Sequence, residues 1–389
     1  TLDLRLLNAF SDFWSYLMVH WLSRLLLRTL AAVFCVFFFC EYVIYFVAIH
    51  KCQWPSLPQM QHEGTVVKMM ILADTHLLGI YRGHWFDKLR REWQMYRSFQ
   101  SAQMLFNPDH VVFLGDLFDE GLWGPDAIFK SYAERFKQIF DTPDSTKLHV
   151  IVGNHDIGFH NSIRPFHEAR FVQHFNTSSV EFKVINDMPF ITINSMALEG
   201  DGCFLCKPAT EKLEEIDLLL KCSQEPKYPC PNTTLGKKSK KYVRPIIFQH
   251  FPLYRESDKY CEGSDIAPYE EREVKFRPKW DCLGMNESQW ILKHLNPRLI
   301  MSGHTHHGCV TLHNEGIPEY SVASFSWRNR NNPSFYLAKF TTEDFALEKC
   351  FLPEESTVIS IYTWALVAWI FLVLLKYRNI FCTVKRKFI

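Results

Sequence analysis

Apolar positions along the chain fall into two kinds of run. Two runs are long: Leu30 to Ile49 (LAAVFCVFFFCEYVIYFVAI) carries a single charge, Glu41, and Val358 to Leu375 (VISIYTWALVAWIFLVLL) carries none. About twenty helical residues at a rise of ~1.5 Å cross the ~30 Å hydrocarbon core of a bilayer, and apolar side chains on every side leave no face for water. Both are predicted to be transmembrane helices, with a buried core helix as the competing reading. The first is too long and aromatic for a signal peptide, and no small-residue cleavage site follows it at His50-Lys-Cys-Gln-Trp-Pro55, so it is expected to persist as an anchor.

Between them the apolar runs are short, β-branched or aliphatic, and each stops at a loop rich in Asp, His and Asn. Val66–Leu72 precedes Ala73-Asp-Thr-His76, Val111–Leu114 precedes Gly115-Asp-Leu-Phe-Asp119, and Val150–Val152 precedes Gly153-Asn-His-Asp156. Ile246–Phe248 leads into Gln249-His250, and Leu299–Met301 into Ser302-Gly-His-Thr-His306. Runs this short and apolar predict buried strands. Residues 86–106 and 127–140 alternate charged and aromatic residues at helical spacing, with Gly121 and Pro125 punctuating the second. Strand, polar loop, helix and strand again is the order of an α/β fold with helices covering a sheet.

The chain of 389 residues is 47% hydrophobic and 22% charged, which excludes a disordered or collagen-like protein. A net charge of +1 gives no electrostatic case for nucleic acid. Charge position is more telling. Arg24 and Arg28 precede the first long run, while Lys376, Arg378, Lys385, Arg386 and Lys387 follow the second without an acid among them. Both ends are therefore expected in the cytosol: a segment 1–29, spans 30–49 and 358–375, a lumenal domain 50–357, and a tail 376–389. Sequons at Asn176, Asn232 and Asn286 fall in the middle segment. So do Cys203, Cys206, Cys222, Cys230, Cys261, Cys282, Cys309 and Cys350, an even set that can pair in an oxidising compartment. Cys203-x-x-Cys206 has no second such pair and reads as part of a disulfide framework rather than a zinc ribbon; Cys222 and Cys230 bridge each other or partner that pair. The stretch 203–242 interrupts the α/β pattern and ends in Lys237-Lys-Ser-Lys-Lys241, which reads as a solvated loop insertion, with attraction to lipid phosphate as the alternative. Glu41, an acid within a span, is assigned no role.

Open α/β sheets collect chemistry at the carboxyl ends of strands, and every polar cluster here sits at such an end. Carboxylate, amide and imidazole donors without a thiolate suit first-row divalent metals. The series Asp74-x-His76, Gly115-Asp116-x-x-Asp119, Gly153-Asn-His-Asp156, His250 and Gly303-His-x-His306 resembles the complete signature of the calcineurin-like metallophosphoesterase superfamily. The resemblance implies a β-sandwich flanked by helices, here with one transmembrane helix at each end. It implies one cation on Asp74, His76, Asp116 and His306 and a second on Asp116, Asn154, His250 and His304, most simply manganese, with zinc or iron as alternatives. His155 is then expected to protonate the leaving oxygen, with Asp156 orienting its imidazole or capping the following helix. Asp119 is either a partner of a ligand or a turn residue, and His307 is a bystander.

With its two spans, the chain is similar to those members that act as phosphodiesterases on glycosylphosphatidylinositol (GPI) anchors, removing ethanolamine-phosphate from the second mannose after attachment to protein. That likeness implies GPI-anchored proteins as substrates and residence at endoplasmic reticulum exit sites, the ER-Golgi intermediate compartment and the cis-Golgi. The terminal Lys385-x-Lys387-x-x resembles a dilysine retrieval signal, implying cargo receptors and the COPI coat as partners, against a plain basic flank. Trp85, Phe86, Tyr254, Tyr260, Glu262, Tyr269, Glu270, Trp280 and Trp327 are the candidates for reading ethanolamine or mannose. Two other readings stand beside this one: a lumenal nucleotide-sugar or lipid pyrophosphate hydrolase, and a noncatalytic cargo receptor that retains the metal fold.

Overall fold

The computed structural model describes residues 2–57, 65–225, 227, 230–231 and 242–387. They form two compact units, one of residues 48–353 and one of residues 1–47 with 354–389. The sequon at Asn232, the lysines 237–241 and the last two residues of the dilysine-like end lie outside the described residues, whereas Asn176 and Asn286 are exposed.

The larger unit contains eleven strands: β1 Val67–Leu72, β2 His110–Phe113, β3 Lys147–Val150, β4 Val180–Ile185, β5 Met188–Ile193, β6 Ile246–Gln249, β7 Leu299–Ser302, β8 Cys309–Leu312, β9 Pro318–Ser321, β10 Ser334–Phe340 and β11 Phe345–Phe351. They make two mixed sheets, ordered β11-β10-β1-β2-β3 and β4-β5-β6-β7-β9-β8. In the first, β1, β2 and β3 run parallel; in the second, β5, β6, β7 and β9 do. The architecture is thus a sandwich of two sheets. Of the five strands predicted before ligand loops, four fall within a residue of the observed bounds. The exception is β3, which begins at Lys147 and ends at Val150, so that Ile151 and Val152 belong to the exit from the strand.

Alternation along β1 explains the layering. Val67, Met69 and Ile71 point into the space between the sheets, where they meet Phe190, Phe248 and Met301, while Met70 and Leu72 point outward into a helix-covered core. Unit 1–47 with 354–389 supplies α1 Leu2–Phe38 and α10 Glu355–Lys387, and α2 Ile44–Ile49 crosses the boundary at residue 47; α3 Trp85–Phe106, α4 Asp126–Ile139, α5 Asn154–Ile157, α6 Pro165–Phe175, α7 Cys206–Gln224, α8 Tyr269–Arg272 and α9 Met285–Trp290 lie in the larger unit. On the first sheet's outer face, Phe99 of α3 and Phe136 of α4 pack on Phe113, with ring centroids 6.2 and 4.9 Å away. Burying such a side chain contributes roughly 1.5–3 kcal/mol.

The expected loop insertion at 203–242 is corrected by α7. Ala209, Leu213, Ile216 and Leu220 recur at helical spacing and bury one stripe in the core that also holds Ile191, Ile247 and Ile300 of the second sheet. The lysines and glutamates between those positions face solvent, which is why the stretch reads as polar when its composition is taken alone.

The cysteines also differ from expectation. Cys52 pairs with Cys350, Cys203 with Cys206, Cys222 with Cys230, and Cys261 with Cys309. Cys282 is a buried free thiol, and Cys52, just after the first long run, takes the place in the pairing that the even count gave it. By loop entropy, the Cys52–Cys350 link, 298 residues apart, is worth on the order of 5 kcal/mol, against about 2 for Cys203–Cys206.

Residues 19–49 and 355–378 form helices long and apolar enough to cross a membrane. A π-helical turn, Phe39–Val43, separates α1 from α2 and presents Glu41, whose Oε1 accepts a 2.6 Å hydrogen bond from the Tyr362 hydroxyl on α10. The acid thus has a polar partner within an otherwise apolar segment.

Candidate dimetal centre

The site is assembled at the carboxyl ends of β1, β2, β6 and β7 and at the start of α5. Each strand ends in a backbone turn that sends a side chain back across the sheet edge. Asp74, His76, Asp116, His304 and His306 all adopt positive φ, between 44° and 71°. Such backbone is unfavourable for histidine and persists only where the surroundings over-determine it. Gly153 is required by proximity: a Cβ there would collide with the backbone nitrogen and carboxylate of Asp116.

Two clusters result. Asp74, His76, Asp116 and His306 each bring a donor atom within 4.8 Å of the others, and Asp116, His250 and His304 do the same. Asp116 belongs to both. Its Oδ2 lies 3.5 Å from His76 Nε2, while its Oδ1 lies 3.3 Å from His250 Nε2 and accepts the His155 backbone N–H at 2.8 Å. Asn154 completes the second cluster, its Oδ1 3.0 Å from His250 Nε2. His76 Nε2 faces His306 Nε2 at 2.9 Å. All seven residues expected as ligands therefore converge.

Their partners prepare the donor atoms. His250 Nδ1 donates to the Leu114 carbonyl at 2.8 Å, and His304 Nε2 donates to the Trp280 carbonyl at 2.8 Å. These bonds fix the tautomers and turn the other nitrogens inward. His304 Nδ1 is left buried without a hydrogen-bond partner, as a ligand-ready lone pair would be. Both Asp74 oxygens accept the His304 backbone N–H at 3.1 Å. His76 Nδ1 stands 3.3 Å from Asp119 Oδ1, so Asp119 is a partner of His76.

Electrostatics agree with a cation-binding role. Burial raises the Asp74 carboxyl to about 8, opposed by His250 and reinforced by the Asp116 charge. Burial would raise Asp116 too, but His250 and His155 hold it well below the ordinary carboxylate range. Burial lowers His304 to about 3, with the His250 charge adding to it, and lowers His306 well below the usual imidazole value. Carboxylates and neutral imidazoles crowded out of water, with His304 Nδ1 buried and lacking a partner, fit a pair of divalent cations: positive charge would restore the ionised form of Asp74 and satisfy the orphaned lone pair.

Asp156 corrects one expectation. Its Oδ2 accepts the Gly153 N–H at 2.8 Å and its Oδ1 the Phe118 N–H at 3.1 Å, so the carboxylate closes the first turn of α5. The His155 ring is instead positioned by the Asp119 carbonyl, 3.1 Å from Nδ1, and lies edge-on to His76 with centroids 4.7 Å apart. Residue order put Asp156 next to His155, but consecutive helical residues point in different directions. Four supports escaped sequence reasoning: Trp280 through its carbonyl, Ser324 through a 2.7 Å bond to the Asp74 carbonyl, Arg330 through a 2.7 Å bond to the His306 carbonyl, and Arg328, 3.5 Å from Asp119. Two act on main-chain atoms and one through its own carbonyl, which no side-chain motif encodes. His307 points away from the clusters, between Arg330 and Glu271.

Comparison with known proteins follows the same lines. Residues 67–308 match the family model of calcineurin-like phosphoesterases. Metallophosphoesterase 1 of Gallus gallus is 48% identical over 347 residues, covering 87% of each chain. Metallophosphoesterase 1 of Danio rerio is 45% identical over 362 residues, covering 92% of this chain and 94% of its own. Among solved structures, a dimetal phosphatase from Danio rerio aligns with 74% of this chain and 99% of its own at 14% identity and a TM-score of 0.43.

Proposed function

Because this chain belongs to the calcineurin-like phosphoesterase family and is a metal-dependent phosphoesterase, we propose that it is a dinuclear phosphodiesterase of GPI anchors. In this reading it removes ethanolamine-phosphate from the second mannose of the protein-attached anchor in the early secretory pathway, aiding export of the anchored protein. The observation that carries the phosphoryl chemistry is the sharing of Asp116 between two clusters of buried donors. Asp74, His76, Asp116 and His306 would hold one cation; Asp116, Asn154, His250 and His304 would hold the other. When bound, the pair lowers the pKa of water and neutralises charge on the phosphoryl group during in-line displacement. Nitrogen and oxygen donors without thiolate suit manganese, with zinc and iron separated from it by geometry and supply.

The chain's own residues supply the rest. His155, held through Nδ1, keeps Nε2 as the nitrogen that carries a proton to the leaving oxygen. His304 and His306 also line a cleft of about 670 Å³ shared with Glu271 and Asp281. Trp280, whose carbonyl fixes His304, exposes 45% of its surface. Its ring already stacks on Phe159 and carries the Arg277 guanidinium, itself paired with Asp281, so an ethanolamine ammonium would have to take the place of Arg277 on that face. Trp327, by contrast, is buried and bonded to the Pro353 carbonyl, and serves packing. Four disulfides in the unit between the two apolar helices favour an oxidising lumen; the basic tail then faces the cytosol, where COPI and cargo receptors would act on it.

The test is full-length protein in detergent with manganese, offered GPI-anchored protein beside nucleotide-sugars and lipid pyrophosphates. Anchor glycans should lose one ethanolamine-phosphate by mass with the parental chain and keep it with Asp116→Asn. Hydrolysis of the pyrophosphates with the anchors left intact would overturn the substrate assignment.

A further inference from the structure

Outside the dimetal centre the described residues gather one other cluster of nucleophilic and titratable groups near the surface: His160, Asp201, Cys203 and Cys206. From it we infer that Cys203 and Cys206 form a thiol–disulfide exchange centre acting on a dithiol partner, rather than an inert staple.

Four observations carry this. The two sulfurs are unequal in access, since Cys203 is partly exposed and Cys206 is buried at 1%. An attacking thiol therefore reaches Cys203 first. Second, Cys206 opens the 19-residue helix α7, and its N–H donates to Cys203 Sγ at 3.0 Å. A helix amino terminus and a donated N–H both stabilise a thiolate on Cys203. Third, the His160 ring has acceptors on both sides. Its Nε2 lies 2.8 Å from Asp201 Oδ2, while Nδ1 faces the Met196 carbonyl at 3.4 Å and Cys206 Sγ at 3.9 Å. The Asp201 contact orients the ring so that Nδ1 faces Cys206 Sγ and can hand a proton to that sulfur as it leaves. Fourth, this bridge encloses the shortest loop of the four, so its contribution to folding is the smallest.

The exchange balances as follows. A thiolate of the partner attacks Cys203 Sγ, forming a mixed disulfide while the Cys203–Cys206 bond breaks. The bonding pair leaves on Cys206 Sγ, which takes a proton from His160. The partner's second thiolate then displaces Cys203, whose thiolate is received by the Cys206 N–H. The partner departs as a disulfide, and the chain, having gained two electrons, holds a thiol at Cys206 and a thiolate at Cys203; the reverse sequence reduces a disulfide-bearing partner and re-forms the Cys203–Cys206 bond.

The experiment equilibrates the full-length native protein in detergent with glutathione buffers of rising reduced-to-oxidised ratio, followed by acid quenching, alkylation and peptide mass analysis. Expected is reversible opening of Cys203–Cys206 alone, with Cys52–Cys350 and Cys261–Cys309 oxidised throughout. Cys206→Ser should accumulate glutathione on Cys203, and Cys203→Ser should carry at least about tenfold less on Cys206. The inference is overturned if the pair opens only when the other bridges do, or if both variants take up glutathione equally. It is also overturned if the reduced protein binds one zinc ion that blocks alkylation of both thiols, which would make the cluster a metal site. The measurement on the native chain needs no variant, so misfolding of either substitution leaves the test intact.

Discussion

Asp116 serves two histidines by dividing its oxygens, Oδ2 toward His76 and Oδ1 toward His250. The residues behind it decide how well it does so. Asp119 stands 3.3 Å from His76 Nδ1 and orients that ring through the nitrogen opposite the one that faces Asp116 and His306. Asp119→Ala should therefore raise the metal concentration for half-maximal activity by about 10–100-fold, the usual effect of losing a carboxylate behind a ligating imidazole. Metal titration of hydrolysis checks this, and an unchanged midpoint would make Asp119 a turn residue. Asp156 predicts a different phenotype. Asp156→Ala strands the N–H groups of Gly153 and Phe118 in a buried site, a loss of about 1–3 kcal/mol. Its thermal midpoint should fall, whereas His155→Gln should keep the midpoint and lose turnover. Side-chain identity and spacing made the seven convergent donors legible in the sequence. The division of labour between Asp119 and Asp156 was not, because Asp119 lies in the loop after β2 and Asp156 on the one-turn α5, and only the fold shows which of them meets a histidine.

At the level of elements, the first sheet's edge carries a second set of histidines. His110 of β2 and His149 of β3 meet at 2.9 Å. Burial lowers His149 to about 3, and Lys183, His110 and Lys147 add to it; burial also lowers His110, with Lys147 and Lys183 against Asp109. Glu181 neutralises part of Lys183 at 2.6 Å. A histidine whose folded value lies below the unfolded one binds protons more readily when unfolded, so stability rises with pH across the window. Acidification through about 6.5 toward 3 should therefore destabilise the sandwich, by roughly 2 kcal/mol at pH 5 from His149 alone. Melting at pH 7 and pH 5 should show a smaller difference for His149→Gln than for the parental chain; equal differences would remove His149 as the cause. The strands that lead into ligand loops were legible because an apolar run ends where polarity begins. For β3 that rule failed, since Lys147, Leu148 and His149 lie on an edge strand with one solvated face and do not look apolar. For α7 it failed in the opposite sense, because its buried stripe emerges only when positions are read at helical spacing.

For the molecule as a whole, the decisive feature is that the catalytic unit is closed on itself. Cys52 and Cys350 join its first and last segments, with Cα atoms 5.5 Å apart, so both connections to the apolar helices leave from neighbouring points. On the proposed reading, in which the two apolar helices cross a membrane, this unit is tethered to a single leaflet through both of its ends. Effective concentration then acts only on substrates in that leaflet, and avidity from such tethering can reach about 10²–10⁴ without any new contact. For the chain reconstituted in vesicles with its substrate, hydrolysis of a membrane-anchored phosphodiester should exceed that of the same glycan freed of lipid by at least about tenfold. Full-length protein dispersed in detergent should lose most of that preference, because the two substrates are then equally dilute. A preference that survives dispersal would place recognition of the lipid in the catalytic unit itself, and the absence of any preference in vesicles would mean that tethering serves location rather than catalysis. The comparison separates the two because the dimetal centre, and hence the chemical step, is identical in both settings.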